Sequence, residues 1–153
     1  RQANAGKWMA AESTEILLLD THVSIWLVEG AASRLGRTAV RRIERASAGG
    51  RLRLSVISVW EVAMLQSKGR VQCLPTVDDW VDKNLSAPGL QLSDLTPQIA
   101  VDSSRLPDLA HGDPADRIII ATARRLPATL VTRDRAMLRY ARAGHLAALN
   151  AAR

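Results

Sequence analysis

Ile16-Leu17-Leu18-Leu19-Asp20-Thr21-His22-Val23-Ser24-Ile25-Trp26-Leu27-Val28 is the stretch on which the fold turns. Four consecutive aliphatic residues meet an aspartate, and a second apolar run follows at once. A short, uninterrupted apolar run is the pattern of a strand buried on both faces, which is how strands of parallel sheets read. The second run is predicted to be a helix near Thr21–Val28. Asp20 stands at the junction, where a parallel strand hands the chain to a helix.

The same alternation continues along the chain. Ser33 is a candidate cap for a helix reaching about Ala48, where Gly49-Gly50 stops it. Leu52–Val56 is predicted to be a strand, followed by a helix that carries Trp60, Glu61 and Leu65 and ends at Gly69. Thr76 can cap Val77–Leu85, Leu90–Leu95 alternates like a strand, and Thr96-Pro97 is a strong helix start. Asp113-Pro114 repeats that device before Ala115–Leu126. Thr129–Thr132 is predicted to be a strand, Asp134–Ala143 a helix and Leu146–Leu149 a last short strand. Strands separated by helices give an α/β class with a parallel sheet covered on both faces.

Bulk properties bound the function. A chain of 153 residues with 47% hydrophobic content suits one globular domain. With no Phe and one Tyr, its core must be aliphatic, leaving Trp8, Trp26, Trp60 and Trp80 as the large aromatic bodies. Twenty-one Lys+Arg against 15 Asp+Glu give +6, a balance that attracts polyanions without specifying which. The single cysteine, Cys73, excludes an internal disulfide and fits a reducing, cytoplasmic setting. No stretch is long and apolar enough to suggest a membrane span. Residues 1–14 are read as a lead-in, a processed end or an expression remnant, and 15–150 as the domain.

Four acids recur at one kind of place. Asp20 ends the first strand, Glu61 lies about a turn into the helix after the second, Asp116 is in the first turn after Asp113-Pro114, and Asp134 follows the Thr129–Thr132 strand. Strand C-termini of a parallel sheet share one edge, so residues far apart in sequence can meet there. Crowded carboxylates repel, and a hard divalent cation relieves that repulsion, because Mg²⁺ and Mn²⁺ prefer carboxylate and water oxygens. Such a site can hydrolyse a phosphodiester without a serine, cysteine or histidine nucleophile. Each acid also has a plainer explanation. Ser58-x-x-Glu61 fits a capping box, Asp113 and Asp134 fit helix caps, Asp116 suits the helix dipole, and Asp20 suits an Asx turn.

The words around these acids are more specific than their spacing. Leu18-Leu19-Asp20-Thr21-His22 with Trp26, Ser55-Val56-Ile57-Ser58-Val59-Trp60-Glu61-Val62-Ala63, His111-Gly112-Asp113-Pro114-Ala115-Asp116-Arg117 and Leu130-Val131-Thr132-Arg133-Asp134 occur in this order. Together they resemble the VapC-like toxins of the PIN-domain family over roughly Ile16 to Leu149. The resemblance implies a five-stranded parallel sheet flanked by helices and an endoribonuclease requiring Mg²⁺ or Mn²⁺. It also implies a cognate antitoxin covering the acidic pocket, a homodimer, and contact with DNA only through the antitoxin complex. The family's four acids fall on Asp20, Glu61, Asp116 and Asp134, expected to be both catalytic and metal-binding, with Asp113 left open as a further ligand. Ala115 departs from the aromatic residue of many relatives.

Other candidates are secondary. Arg117 is a candidate to hold substrate phosphate or pair with a carboxylate, and Thr132 to orient Asp134 or touch substrate. Arg34, Arg37, Arg41 and Arg45 recur at helical spacing and are read first as a solvated helix face, with Arg37 and Arg41 the candidates for a phosphate track on RNA or an antitoxin strip. With the four acids set aside, 21 basic residues face 11 acidic ones, enough to draw a polyanion toward a negative pocket. Arg133 and Arg135 flank Asp134 and could contact phosphate or pair with a carboxylate, with plain surface placement an equal alternative. His22, His111 and His145 lack zinc-ligand spacing and are read chiefly as structural or surface residues. Trp26 and Trp60 are read chiefly as core or groove-wall packing, with stacking on an RNA base the lesser alternative. Competing functions are a PIN-type nuclease with another nucleic-acid role and an inactive binding module in a repressor complex. A dehalogenase-type phosphatase needs an aspartate where His22 stands, and a response-regulator receiver needs an acidic pair and a late lysine that are not evident.

Overall fold

The computed structural model describes residues 13–70, 76–109 and 112–153. The expectations placed on residues 1–12, Cys73 and His111 lie outside the described residues. Five strands form one sheet: β1 (Leu17–Leu19), β2 (Leu52–Ser55), β3 (Leu90–Ser93), β4 (Thr129–Thr132) and β5 (Ala148–Asn150). Their order is β3-β2-β1-β4-β5 and every pairing is parallel. The helices are α1 (Thr21–Val28), α2 (Arg37–Ala48), α3 (Val56–Ser67), α4 (Val77–Ser86), α5 (Pro97–Ser104), α6 (Pro114–Arg125) and α7 (Arg135–Arg142).

Alternation along β1 divides the interior. Leu17 and Leu19 face one layer, with Val23 and Ile25 of α1, Ile43 of α2, Val62 of α3 and Trp80 of α4. Leu18 faces the other, with Ile99 of α5, Ile119 and Ile120 of α6 and Met137 and Tyr140 of α7. The α/β class with helices on both faces is therefore as expected. Each fully buried aliphatic side chain contributes about 1.5–3 kcal/mol, and β1 places three of them at the centre of the sheet. Among the described residues no helix is long and apolar enough to cross a membrane.

Several local expectations need correction. Ser33 caps nothing; it lies in a short 3-10 turn, Ala32–Arg34, and α2 begins only at Arg37. The N-terminal amides of α2 are satisfied by the chain end instead, since Gly36 N and Ala39 N donate to the carbonyls of Ala151 and Arg153, each at 2.8 Å. Gly36 permits this approach, because a Cβ there would sit 2.0 Å from the Arg153 backbone. The second strand stops at Ser55, whose hydroxyl accepts from Ile57 N at 3.2 Å and so starts α3 at Val56. Ser58 is thus inside the helix, which removes the capping-box explanation of Glu61. Trp60 is 55% exposed, not core, because α3 turns Val59 and Val62 inward instead.

Candidate active site

Strand order reverses at β1: β2 and β3 extend to one side of it, β4 and β5 to the other. Asp20 and Asp134 follow the two strands that flank this switch point, the place where open α/β sheets leave a crevice. A cleft of about 340 Å³ opens there, lined by Asp20, Glu61, Asp113, Asp116 and Asp134 together with His22, Trp26 and Arg133. All four acids named from the sequence thus share one cleft.

Each acid is held by the element it belongs to. Asp20 caps α1, its Oδ1 accepting from Thr21 N at 2.8 Å, while Oδ2 accepts from the buried Thr132 hydroxyl at 2.7 Å. Thr132 Oγ1 also accepts from Asp134 N at 3.0 Å, so one hydroxyl couples the ends of β1 and β4. Asp134 caps α7 through Oδ1 and Met137 N at 2.9 Å. Asp113 caps α6 through Oδ1, which accepts from Ala115 N at 2.8 Å and Asp116 N at 3.3 Å. Glu61 Oε1 accepts from Thr21 Oγ1 at 2.6 Å, and the Ser58 hydroxyl lies 2.8 Å from Thr21 Oγ1. Thr21 has one hydroxyl proton, which goes to Glu61, so Ser58 must be the donor to Thr21.

The capping explanations are correct for Asp113 and Asp134, and Asp20, expected in an Asx turn, is a cap as well, yet none of this competes with a chemical role. Among the described residues no hydrogen bond engages the second oxygen of Asp113, Asp134 or Glu61. Three carboxylates, Glu61, Asp113 and Asp116, offer oxygens that all lie within 4.8 Å of one another. Asp113, which the sequence left open, joins this closest set, whereas Asp20 and Asp134 line the same cleft outside it. The Asp-Pro-x-Asp spacing was the signal, since an N-cap and the third residue beyond it meet at the same helix start.

Electrostatics carry the mark of crowding. Burial is the largest cause that pushes the Asp116 carboxyl up to about 7, and Asp20, Glu61, Asp113 and Asp134 all push the same way. Burial also raises Glu61, aided by Asp20 and Asp113 and opposed by the Thr21 hydrogen bond. Asp20 is raised by burial, which outweighs the hydrogen bonds from Thr132 and Thr21. An all-oxygen donor set that resists ionising when alone fits a hard divalent cation.

Other sequence candidates land elsewhere. Arg117 does not enter the cleft: its Nε and Nη1 donate to the carbonyls of Ser103 and Leu109, at 2.8 and 2.7 Å. Thr132 is fully buried, with its hydroxyl engaged by Asp20 and Asp134 and turned away from the open cleft. Arg37 and Arg41 are exposed on α2, as a solvated face would be. The helix descends from them to the opposite edge of the sheet, where Arg42 pairs with Glu15 ahead of β1 and Arg51 N bonds Ala46 O ahead of β2. Arg34 leaves the stripe altogether and lies over Trp26. The support given by Thr21 and Ser58 was not foreseen, because a hydroxyl two elements away leaves no pattern in the chain.

Residues 17–143 match the family described as the PIN domain. The chain belongs to the PIN-domain family. It is 36% identical over 119 residues to Ribonuclease VapC22 of Mycobacterium tuberculosis (strain ATCC 25618 / H37Rv), an alignment that covers 78% of this chain and 87% of that one. Among solved structures, the PIN domain described here is similar to VapBC2 from Rickettsia felis bound to a DNA fragment from their promoter. That match has a TM-score of 0.65 and 20% identity, over 88% of this chain and 98% of that chain. It is also similar to DNA-bound VapBC from Salmonella typhimurium, with a TM-score of 0.62 and 16% identity over 88% and 97% of the two chains. At such identities the structural likeness speaks for the PIN fold alone.

Proposed function

We propose that this chain is a metal-dependent endoribonuclease acting as the toxin of a type II toxin–antitoxin pair. The observation that carries the reading is the convergence of five carboxylates in one cleft at the sheet's switch point. The 36% identity to a protein named a ribonuclease supports RNA as the substrate class. Glu61, Asp113 and Asp116 would hold a divalent cation, Mg²⁺ or Mn²⁺, with Asp20 and Asp134 completing the acidic wall. When bound, such an ion neutralises a phosphate oxygen and acidifies water, which is the chemistry phosphodiester hydrolysis requires.

The chain's own residues prepare the rest. Thr21, itself engaged by Ser58, pins one oxygen of Glu61 and leaves the other for the cation. Thr132 fixes the facing oxygen of Asp20 and the backbone of Asp134, so the two sides of the cleft keep a set separation. Trp26 walls the cleft beside them.

The relatives solved as VapBC complexes support an antitoxin partner, and the acid cleft suits a segment that presents a basic side chain. A homodimer in the cytoplasm, touching DNA only through the antitoxin, completes the reading. Purified chain freed of any partner is expected to cut single-stranded RNA with Mg²⁺ or Mn²⁺, to stop with chelator, and to spare single-stranded DNA. Asp20→Asn should abolish cutting while the fold survives. Undiminished cleavage by that variant would remove the site assignment, and cleavage of DNA instead would favour a different PIN-type nuclease role.

A further inference from the structure

Arg133 lines the cleft and Arg34 stands beside it over Trp26, and the carboxylates account for neither charge. The Arg34 guanidinium carbon lies over the Trp26 ring at 5.8 Å from its centre, and that of Arg133 at 5.5 Å. Arg133 Nη1 also donates to the Arg34 carbonyl at 3.2 Å, tying the loop after β4 to the turn after α1. Trp26 and Arg133 line the acidic cleft itself.

Two cations over one ring are each attracted to its face, by about 0.5–1 kcal/mol at exposed sites, but they repel one another. Among the described residues neither has a carboxylate within ion-pair distance, whereas Arg42 and Arg125 are paired with Glu15 and Asp102. Both arginines are exposed. The arrangement is therefore a cationic rim, set on an aromatic platform, with its charge left for something outside the chain. A guanidinium fork matches phosphate oxygens in the plane it presents. An acidic peptide would match the rim alone. A run of phosphates would match both the rim and a floor charged by divalent cation.

We propose that Arg34 and Arg133, held in place by Trp26, grip a backbone phosphate next to the scissile one in single-stranded RNA. Trp26 is then a positioning residue, its ring carrying the two guanidinium groups. The identity of the anion rests on the nuclease reading; the existence of an anion site does not.

Binding of a short labelled single-stranded RNA, titrated by anisotropy from about 50 to 200 mM salt without metal, tests this directly. Arg34→Ala and Arg133→Ala should each weaken binding about tenfold, and the double variant should reduce the logarithmic salt slope by about 0.7, the loss of one phosphate contact on a single strand. Trp26→Ala should cost about as much as both arginines together, and adding Arg133→Ala to it should cost little more. Trp26→Phe, which keeps a ring and the packing, should recover most of the loss. In cleavage assays the arginine variants should raise KM and leave kcat near wild type. Unchanged affinity and slope in the double arginine variant, no RNA binding by wild type, or arginine-dependent binding of a poly-glutamate peptide in place of RNA would each overturn the proposal. RNA binding that needs the arginines, without any metal-dependent cleavage, would instead retain the rim and discard the nuclease. Cleavage with an unaltered KM in the double variant would retain the nuclease and discard the rim.

Discussion

The hydroxyl of Thr132 donates to Asp20 Oδ2 at 2.7 Å, joining residues 112 positions apart across the two central strands. The same oxygen receives Asp134 N. Thr132→Val keeps the shape but leaves a buried carboxylate oxygen and an amide without their partner. We expect a stability loss of about 1–3 kcal/mol and a fall in cleavage rate of roughly tenfold to a hundredfold. Thr132→Ser should recover most of both. Equal activity in the valine and serine variants, measured as initial rates on one RNA, would show that this link does not set the site.

Asp116 links site and stability through pH. Its carboxyl is raised from 3.8 to about 7 in the folded chain, so folding binds a proton across that interval. The stabilising contribution is complete below 3.8 and is lost as pH rises through about 7. Chelator-treated protein should therefore melt lower at pH 8 than at pH 5, and Asp116→Asn should flatten the difference. Calorimetry in chelator at both pH values checks it. A wild-type profile no steeper than that of the variant would contradict a carboxyl raised by burial and its acidic neighbours.

Divalent cation should reverse that pH effect. At about 100 times its dissociation constant a ligand adds about 2.7 kcal/mol, which for a chain of this size is roughly 5–10 °C in Tm. The gain should be larger at pH 8 than at pH 5, because the acids must ionise to bind. Asp113→Ala and Asp116→Asn should each lose most of it. A melting shift that survives both changes would place the cation elsewhere.

Thr21 and Ser58 predict a graded loss. Thr21→Val releases Glu61 Oε1 and strands the Ser58 hydroxyl, whereas Ser58→Ala removes only the outer link. Cleavage should drop about tenfold to a hundredfold in the first and less in the second. The reverse ranking, taken at saturating RNA, would mean that Glu61 is not positioned through this chain of hydroxyls.

The tryptophans offer a control on packing. Trp80 is fully buried on α4, and Trp80→Ala should cost about 3–5 kcal/mol. Trp60 is 55% exposed, and Trp60→Lys should stay within about 0.5 kcal/mol of wild type. Urea melts of the two variants separate the cases. A large loss at Trp60 would place that ring in a contact made only on association.

Much of the architecture could be read because its signals are local. An apolar run ending in Asp20, the caps Thr76, Thr96 and Asp113, and the proline starts of α5 and α6 each act within a few residues, and each predicted element exists. Boundaries moved where a distant group intervened. The start of α2 is set by carbonyls at residues 151 and 153, and no reading of positions 33–37 could supply them. The acid cleft was legible because parallel strands bring their ends to one edge. Its inner geometry was not: Asp113 in place of Asp20 and Asp134 in the closest set, the burial of Thr132 and the withdrawal of Arg117 depend on side-chain directions. Trp60 failed for the opposite reason, as helix phase and not residue type decides which ring faces water.

Three of the aspartates begin a helix with the same side chain that faces the cleft, and asparagine serves almost as well as aspartate in that first duty. Scaffold and chemistry can therefore be inherited separately. On the proposed reading, a descendant that exchanged these carboxylates for amides would keep its architecture and its docking surfaces while going silent as an enzyme, so a preserved outline says little about whether any given copy still cuts.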